Sequence, residues 1–274
     1  SSVKMENKLH YNCFWGIDFE EYDNHVKIIP NTFEDQIFVF LHETIFCMKL
    51  FSTKQIAELD KFTVENEPIS DIDLMERASL QITHWLVKRF PSEQKMIFFA
   101  GPGNNGGDAL AVARQMADLD YLCEVYLFSF GKELKGSPAI NWQRLAEQGE
   151  VKLSSINSLN EFPDIQPNDI ILDGLFGSGL TRRLEDFPAK LVQKINQLLN
   201  ILVSIDIPSG LMGEDNSNNN LATIIHADFT LTFQFPKMSF LFTENEGFVG
   251  NWTVLPIGLH SGGIAQTSSK YFFI

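Results

Sequence analysis

Three runs in this sequence place carboxylates, amides and hydroxyls beside glycines, each directly after a short apolar stretch. The first is Gly101-Pro102-Gly103-Asn104-Asn105-Gly106-Gly107-Asp108. It matches GxGxxG through Gly101, Gly103 and Gly106. Glycine lets the backbone turn tightly and approach a ligand closely. A helix opening behind it would offer unpaired N–H groups to an anion. A plain tight turn needs the glycines alone. Asn104, Asn105 and Asp108 add polar side chains that such a turn does not require, so the run predicts binding of a phosphate-bearing, nucleotide-like ligand.

The second run is Asp173-Gly174-Leu175-Phe176-Gly177-Ser178-Gly179-Leu180-Thr181-Arg182-Arg183. Gly177, Ser178 and Gly179 can form an anion nest. Arg182 and Arg183 can pair with phosphate, the plain alternative being solvated loop arginines. Asp173 follows three apolar residues, where a carboxylate is costly unless it has a partner. The third run is Ser204-Ile205-Asp206-Ile207-Pro208-Ser209-Gly210. Here Asp206 ends an apolar strand, and Pro208 and Gly210 set a turn that aims Ser209 back toward it. A capping role for Asp206 and a turn role for Ser209 are the simpler readings. Lys237, in Phe235-Pro236-Lys237-Met238, also follows a strand. Taken alone it reads as a solvated loop lysine.

Asn105, Asp173 and Ser209 would reach one edge of a sheet. An amide, a carboxylate and a hydroxyl suit a hard cation better than zinc or copper, and one carboxylate suits a weakly charged ion. The cysteines, Cys13, Cys47 and Cys123, have no metal-ligand spacing. The histidines form no spaced pair with a carboxylate or cysteine, so no zinc site is predicted. No Ser–His–Asp triad can be assembled from local text.

The elements that must hold these runs alternate. Ser52 or Thr53, with Gln55, marks a helix start. Apolar spacing predicts a helix over Leu74 to Phe90. A strand over Lys95 to Ala100 leads into the glycine turn, and a helix follows from about Asp108 to Asp118. Further strands are expected at Glu124–Ser129, Val151–Leu153, Ile170–Leu172, Ile201–Ile205, Phe229–Phe233 and Trp252–Leu255. Helices are expected at Pro138–Gln148 and Pro188–Leu199. Continuous apolar strands alternating with helices argue a parallel sheet covered on both faces. The fold class is α/β, a Rossmann-like three-layer αβα sandwich with a mainly parallel central sheet. Ligands of such sheets sit beyond the carboxyl ends of the strands, where all three runs lie.

The bulk numbers agree. The chain has 274 residues and is 44 % hydrophobic, enough for one large core. Its net charge of −14 lacks the footprint of a general nucleic-acid binder. No apolar run approaches a membrane span, and the N-terminus lacks a signal-peptide layout. A cytoplasmic protein with free thiols is expected. Residues 1–47 read as an N-terminal extension, non-native or poorly ordered. The domain proper is placed at 48–262, and 263–274 reads as the start of a linker or next domain.

The ordered runs Asn104-Asn105-Gly106-Gly107-Asp108, Asp173-Gly174-Leu175-Phe176-Gly177-Ser178-Gly179 and Asp206-Ile207-Pro208-Ser209-Gly210 resemble the signature of the YjeF N-terminal domain family. The resemblance spans about Met48 to His260. It includes Gln55, Met75-Glu76-Arg77-Ala78 and Val254-Leu255-Pro256-Ile257-Gly258-Leu259. It implies an NAD(P)H-hydrate epimerase, an isomerase that interconverts the R and S hydrates of NADH and NADPH (NADHX and NADPHX) at ring carbon C6. By resemblance, Asn104, Asn105, Gly106, Gly107, Asp108, Gly177, Ser178, Gly179, Leu180, Thr181, Arg182, Arg183 and Asp206 contact the hydrate. Asn105, Asp173 and Ser209 hold a potassium ion. Asp206 transfers protons at C6, with Lys237 as its partner. A homodimer is implied, and a fused or separate ADP- or ATP-dependent dehydratase. Ala109 and Ser178 depart from the family's more frequent glycine and threonine. Two other readings compete. A Rossmann oxidoreductase would want an acidic residue at the end of the second strand, yet Glu124 begins that strand. A non-catalytic, RNA-related scaffold of the same fold would not need both Asp173 and Asp206.

Overall fold

The structure, a computed structural model, describes residues 48–273. The reading of residues 1–47 lies outside them. Strand β1 (Met48–Leu50) leads into helix α1 (Thr53–Asn66). Ser52 opens that helix through a capping box with Gln55, which satisfies backbone donors at both ends of the first turn. Helix α2 (Asp71–Arg89) is capped by Ser70, and its first turn carries Asp71 and Asp73, favourable at a helix N-terminus.

The central sheet is built from β2 (Met96–Ala100), β3 (Cys123–Leu127), β4 (Lys152–Ser155), β5 (Ile170–Gly174), β6 (Leu202–Ile205), β7 (Phe229–Phe233) and β8 (Asn251–Leu255). Its order is β4-β3-β2-β5-β6-β7-β8, and every pair is parallel. Helix α3 (Asn104–Ala117) follows β2, α4 (Gly136–Gln148) follows β3 and α5 (Asp186–Ile195) follows β5. Two short helices, α6 (Glu246–Val249) and α7 (Ser261–Gln266), come late. Strand β9 (Tyr271–Phe273) pairs antiparallel with β1.

Alternate strand residues feed two cores. Met96, Phe98 and Ala100 pack with Ile82, Leu110 and Leu145 on the face of α2, α3 and α4. Ile97, Phe99 and Ile171 pack with Leu191, Val192 and Ile195 on the α5 face. Burial on both faces is why these strands read as unbroken apolar runs rather than alternating ones. The three-layer α/β architecture is therefore the expected one.

The chain leaves β2 toward β3 and β4 on one side and continues from β5 toward β8 on the other. The switch point lies between β2 and β5, where the crevice of an open α/β sheet falls. Register sets the crevice floor. Ala100 pairs with Gly174, and Asp173 pairs with Ser204, so β2, β5 and β6 end at one edge.

Some boundaries move. Helix α3 begins at Asn104, not near Asp108, so the Asn-Asn-Gly-Gly run is its first turn. Two glycines disfavour helix interiors and read as loop. They are tolerated because close packing needs them. A Cβ on Gly106 would stand 1.8 Å from the Gly101 carbonyl oxygen, and one on Gly101 would stand 1.8 Å from that of Leu175. Strand β5 runs on through Asp173 and Gly174, and α5 is shorter than expected at its C-terminal end.

Candidate active site

The sheet edge gathers the three sequence runs around two carboxylates with different surroundings. Asp173 is fully buried. Its Oδ1 accepts from the Ser209 hydroxyl at 2.6 Å and the Leu175 N–H at 3.2 Å. Its Oδ2 accepts from the Ser209 N–H at 2.8 Å and the Ser204 hydroxyl at 2.9 Å. Burial raises its pKa, and these donors oppose the rise. The partner that a buried carboxylate requires is thus the turn after β6, which Asp173 fastens to the end of β5.

The Ser209 hydroxyl accepts from the Phe176 N–H at 2.9 Å, and Asn105 Nδ2 donates to the Phe176 carbonyl at 3.1 Å. The sites of Asn105, Asp173 and Ser209 therefore meet at one loop. Asn105 Oδ1 is buried there with no hydrogen-bond donor. An orphaned amide oxygen beside a carboxylate, a hydroxyl and a main-chain carbonyl is the donor set of a weakly charged hard cation.

Asp206 stands at the end of β6 in the left-handed region, at φ 63°. The Ile207 N–H bonds back to the Ile205 carbonyl at 2.8 Å. The neighbouring strand ends alike: Gln234, after β7, has φ 56°, and the Phe235 N–H bonds to the Phe233 carbonyl at 2.6 Å. Two adjacent parallel strands thus break in the same three-residue turn, each followed by a proline one residue on. The turns point Asp206 and Gln234 into one cavity.

Lys237 is not a solvated loop lysine. It is 1 % exposed, and its Nζ donates to Asp206 Oδ1 at 2.6 Å and to the Thr232 hydroxyl at 2.9 Å. Thr232 and the Phe233 N–H add contacts of 3.3 Å to the same carboxylate oxygen. An ammonium can be buried at that depth only against a fixed charge. Pro236 and the turn before it bring the lysine back under β7.

The cavity holds about 400 Å³, a size for part of a small ligand. Asn104, Asp108, Ser178, Asp206 and Lys237 reach it from the sheet edge, and Asp60 and Asp71 from α1 and α2. Ile56, Leu74, Met75, Phe233 and Ile257 supply apolar wall. Asp60 was silent in the sequence. It sits inside an ordinary amphipathic helix, and its only signal is a carboxylate one helical turn from Ile56 on the apolar face.

The remaining predicted contacts spread along the rim. Gly106 and Gly107 are buried in the α3 turn, whereas Gly103 has open space in front of it. Gly177 lies against Asn105, and Gly179 is open. Leu180 is half-buried in the same loop, and Thr181, Arg182 and Arg183 are exposed. Arg183 pairs with Glu185 at 3.0 Å and borders a separate, shallower depression with Asp186 and Asn220. Glu124 is held by Lys95 and Lys152 near the amino end of β3, away from this edge.

With this geometry in place, kinship can be read. The family described as YjeF-related protein N-terminus matches residues 71–239. That span holds every one of the three glycine-flanked runs and most of the sheet. The chain belongs to this family. Among curated relatives, a bifunctional NAD(P)H-hydrate repair enzyme of Thermofilum pendens is 31 % identical over 195 residues, covering 70 % of this chain and 36 % of that protein. An NAD(P)H-hydrate epimerase of Rhodopirellula baltica is 30 % identical over 206 residues, covering 75 % of this chain and 83 % of that protein. An NAD(P)H-hydrate epimerase of Oenococcus oeni is 29 % identical, with 76 % and 96 % covered. The chain thus spans about two fifths or less of the bifunctional relatives and most of the single-function ones. The crystal structure of yeast ynu0, YNL200c, superposes with a TM-score of 0.64 at 20 % identity, covering 83 % of this chain and 100 % of that chain, which shows a shared fold. Among the described residues, no helix of this YjeF-related domain is long and apolar enough to cross a membrane.

Proposed function

We propose that this chain is an NAD(P)H-hydrate epimerase, interconverting the R and S hydrates of NADH and NADPH. The observation that carries the reading is the buried Asp206–Lys237 pair, 2.6 Å apart, at the floor of a cavity beside the switch point. A purely structural scaffold has no use for a buried ion pair that opens onto a cavity. Epimerisation at a carbon bearing a hydroxyl next to a ring nitrogen needs proton transfer and water control, with no oxidant. Asp206 offers a carboxylate oxygen for that transfer, and the Lys237 ammonium, 2.6 Å away, holds it in place. The apolar wall takes the reduced ring. The open N-terminal turn of α3 and the Gly177–Gly179 loop face the phosphates, with Arg182 and Arg183 at the rim.

Asn105, Asp173, Ser209 and the Phe176 carbonyl would hold a potassium ion. When bound, it supplies a positive charge that locks the loop after β5 onto the turn after β6. The orphaned Asn105 Oδ1 supports this assignment. A homodimer and an ADP- or ATP-dependent dehydratase acting on the S form complete the proposal, on family resemblance.

The deciding assay mixes the protein with R-form NADH hydrate and an excess of S-specific dehydratase, and follows NADH absorbance. Acceleration over spontaneous epimerisation is expected; its absence would remove the enzyme. Asp206→Asn is expected to lower the rate at least about 100-fold. A thermal melt checks the cation: potassium is expected to raise Tm over tetramethylammonium at equal ionic strength, with saturation, and Asn105→Ala to abolish the difference. Equal melts in both salts would reject the site.

A further inference from the structure

Epimerisation at C6 has a geometric demand that a single carboxylate does not meet. The hydroxyl leaves from one face of the ring, and water must return to the other. The departing oxygen needs a proton on the first face, and the incoming water must give one up on the second. Asp206, ion-paired with Lys237, suits the accepting role. A donor should stand on another wall of the cavity, outside the ion pair.

Ile56, Asp60 and Val64 lie at successive i, i+4 positions of α1, on one helix face, and all three line the cavity. Asp60 is thus a carboxylate set between two aliphatic side chains, and the ion pair's hydrogen bonds stay within the Asp206, Thr232, Phe233 and Lys237 group. From α3, Asp108 also faces the space. It is 8 % exposed, and the Ser79 hydroxyl beside it donates to its main-chain carbonyl at 3.4 Å.

Resting on the epimerase reading, we propose that Asp60 is the proton donor to the leaving C6 oxygen, acting across the cavity from Asp206. The C6–O bond breaks with its electron pair going to oxygen, which takes the Asp60 proton and leaves as water. The N1 lone pair closes an N1=C6 bond. Water adds to the opposite face, returning that pair to N1, and its proton passes to Asp206. Proton return from Asp206 to Asp60 through cavity water restores the enzyme, and the net change is inversion at C6 alone.

The charges around Asp60 fit a donor. Asp71 faces it from α2, Asp108 from α3, Asp206 from the end of β6 and Lys237 from the turn after β7. On its own helix, Lys61 is turned to Glu65 at 3.6 Å. His260, at the start of α7, is spent on the Gly262 and Gly263 N–H groups. Burial first, then the Asp206 charge, raises Asp60 to about 6, with Lys237 opposing and Asp71 adding. A carboxyl raised by burial, facing one that is ion-paired, is the pattern of an acid and base pair.

The test compares wild type, Asp60→Asn and Asp60→Glu in the coupled assay, across pH, at saturating and limiting hydrate. Wild-type kcat/KM is expected to fall as pH rises above about 6, since the donor must be protonated. Asp60→Asn is expected to lower kcat at least about 100-fold and to lose that limb, with KM little changed. Asp60→Glu should restore part of the rate together with the limb, which a merely structural role would not do. In heavy-oxygen water, the label should enter C6 at the rate of epimerisation. Wild-type kcat in Asp60→Asn, an unmoved pH limb, or retention of the original oxygen would overturn the assignment. An inactive wild type would instead fail the epimerase reading itself.

Discussion

Asp206 sits at φ 63° on a strand end, a conformation that costs a non-glycine residue about 1–3 kcal/mol. The strain is held by the Thr232 hydroxyl and the Phe233 N–H on the neighbouring strand and by Lys237. This pair should show a divided response to substitution. Asp206→Asn strands a buried ammonium, and breaking such a pair costs about 3–5 kcal/mol. Adding Lys237→Met removes the stranded charge, so the double variant is expected to recover most of the loss in urea melts while staying inactive. A double variant as unstable as Asp206→Asn alone would mean that the ion pair is not what the single change breaks. Asp173 and Asp206 were legible because each ends an apolar strand, where charge needs a reason. Lys237 was legible only through the family resemblance, because its partner lies 31 residues earlier and only the parallel pairing of β6 with β7 brings them together.

At the scale of elements, the turn from β2 into α3 carries two separable jobs. Gly101 and Gly106 let backbones touch, whereas Gly103 leaves a gap facing outward. Gly106→Ala is therefore expected to cost about 3 kcal/mol or more, because no flexible side chain can yield. Gly103→Ala, at the N-cap, should cost about 1 kcal/mol or less yet raise KM for the hydrate, since its methyl fills the approach. Chemical melts and steady-state kinetics on both variants separate the jobs; equal destabilisation would merge them. The four-residue shift of the α3 start, from about Asp108 to Asn104, has the same origin. Local propensity assigns glycine pairs to loops, and only tertiary contact with Gly101 and Met75 shows why they belong in a helix. Helix α1 was legible as a helix through Ser52 and Gln55. Its contribution to the site was not, since an amphipathic stripe does not say which strand end it will cover.

Taken as a whole, the molecule carries a net charge of −14, so binding the anionic substrate proposed for it needs local devices. Its devices are backbone amides at a helix start, one buried ammonium and a set of oxygens fit for a cation. The parallel sheet was within reach of the sequence, because continuous apolar strands alternate with helices. The β1–β9 pair was not, as three-residue strands leave no periodicity to read. Met48 lies opposite Phe273 in that pair. The first and last described strands therefore lie side by side. That pair clasps the segment before α1 to the segment after α7, a fastening separate from the seven-stranded sheet.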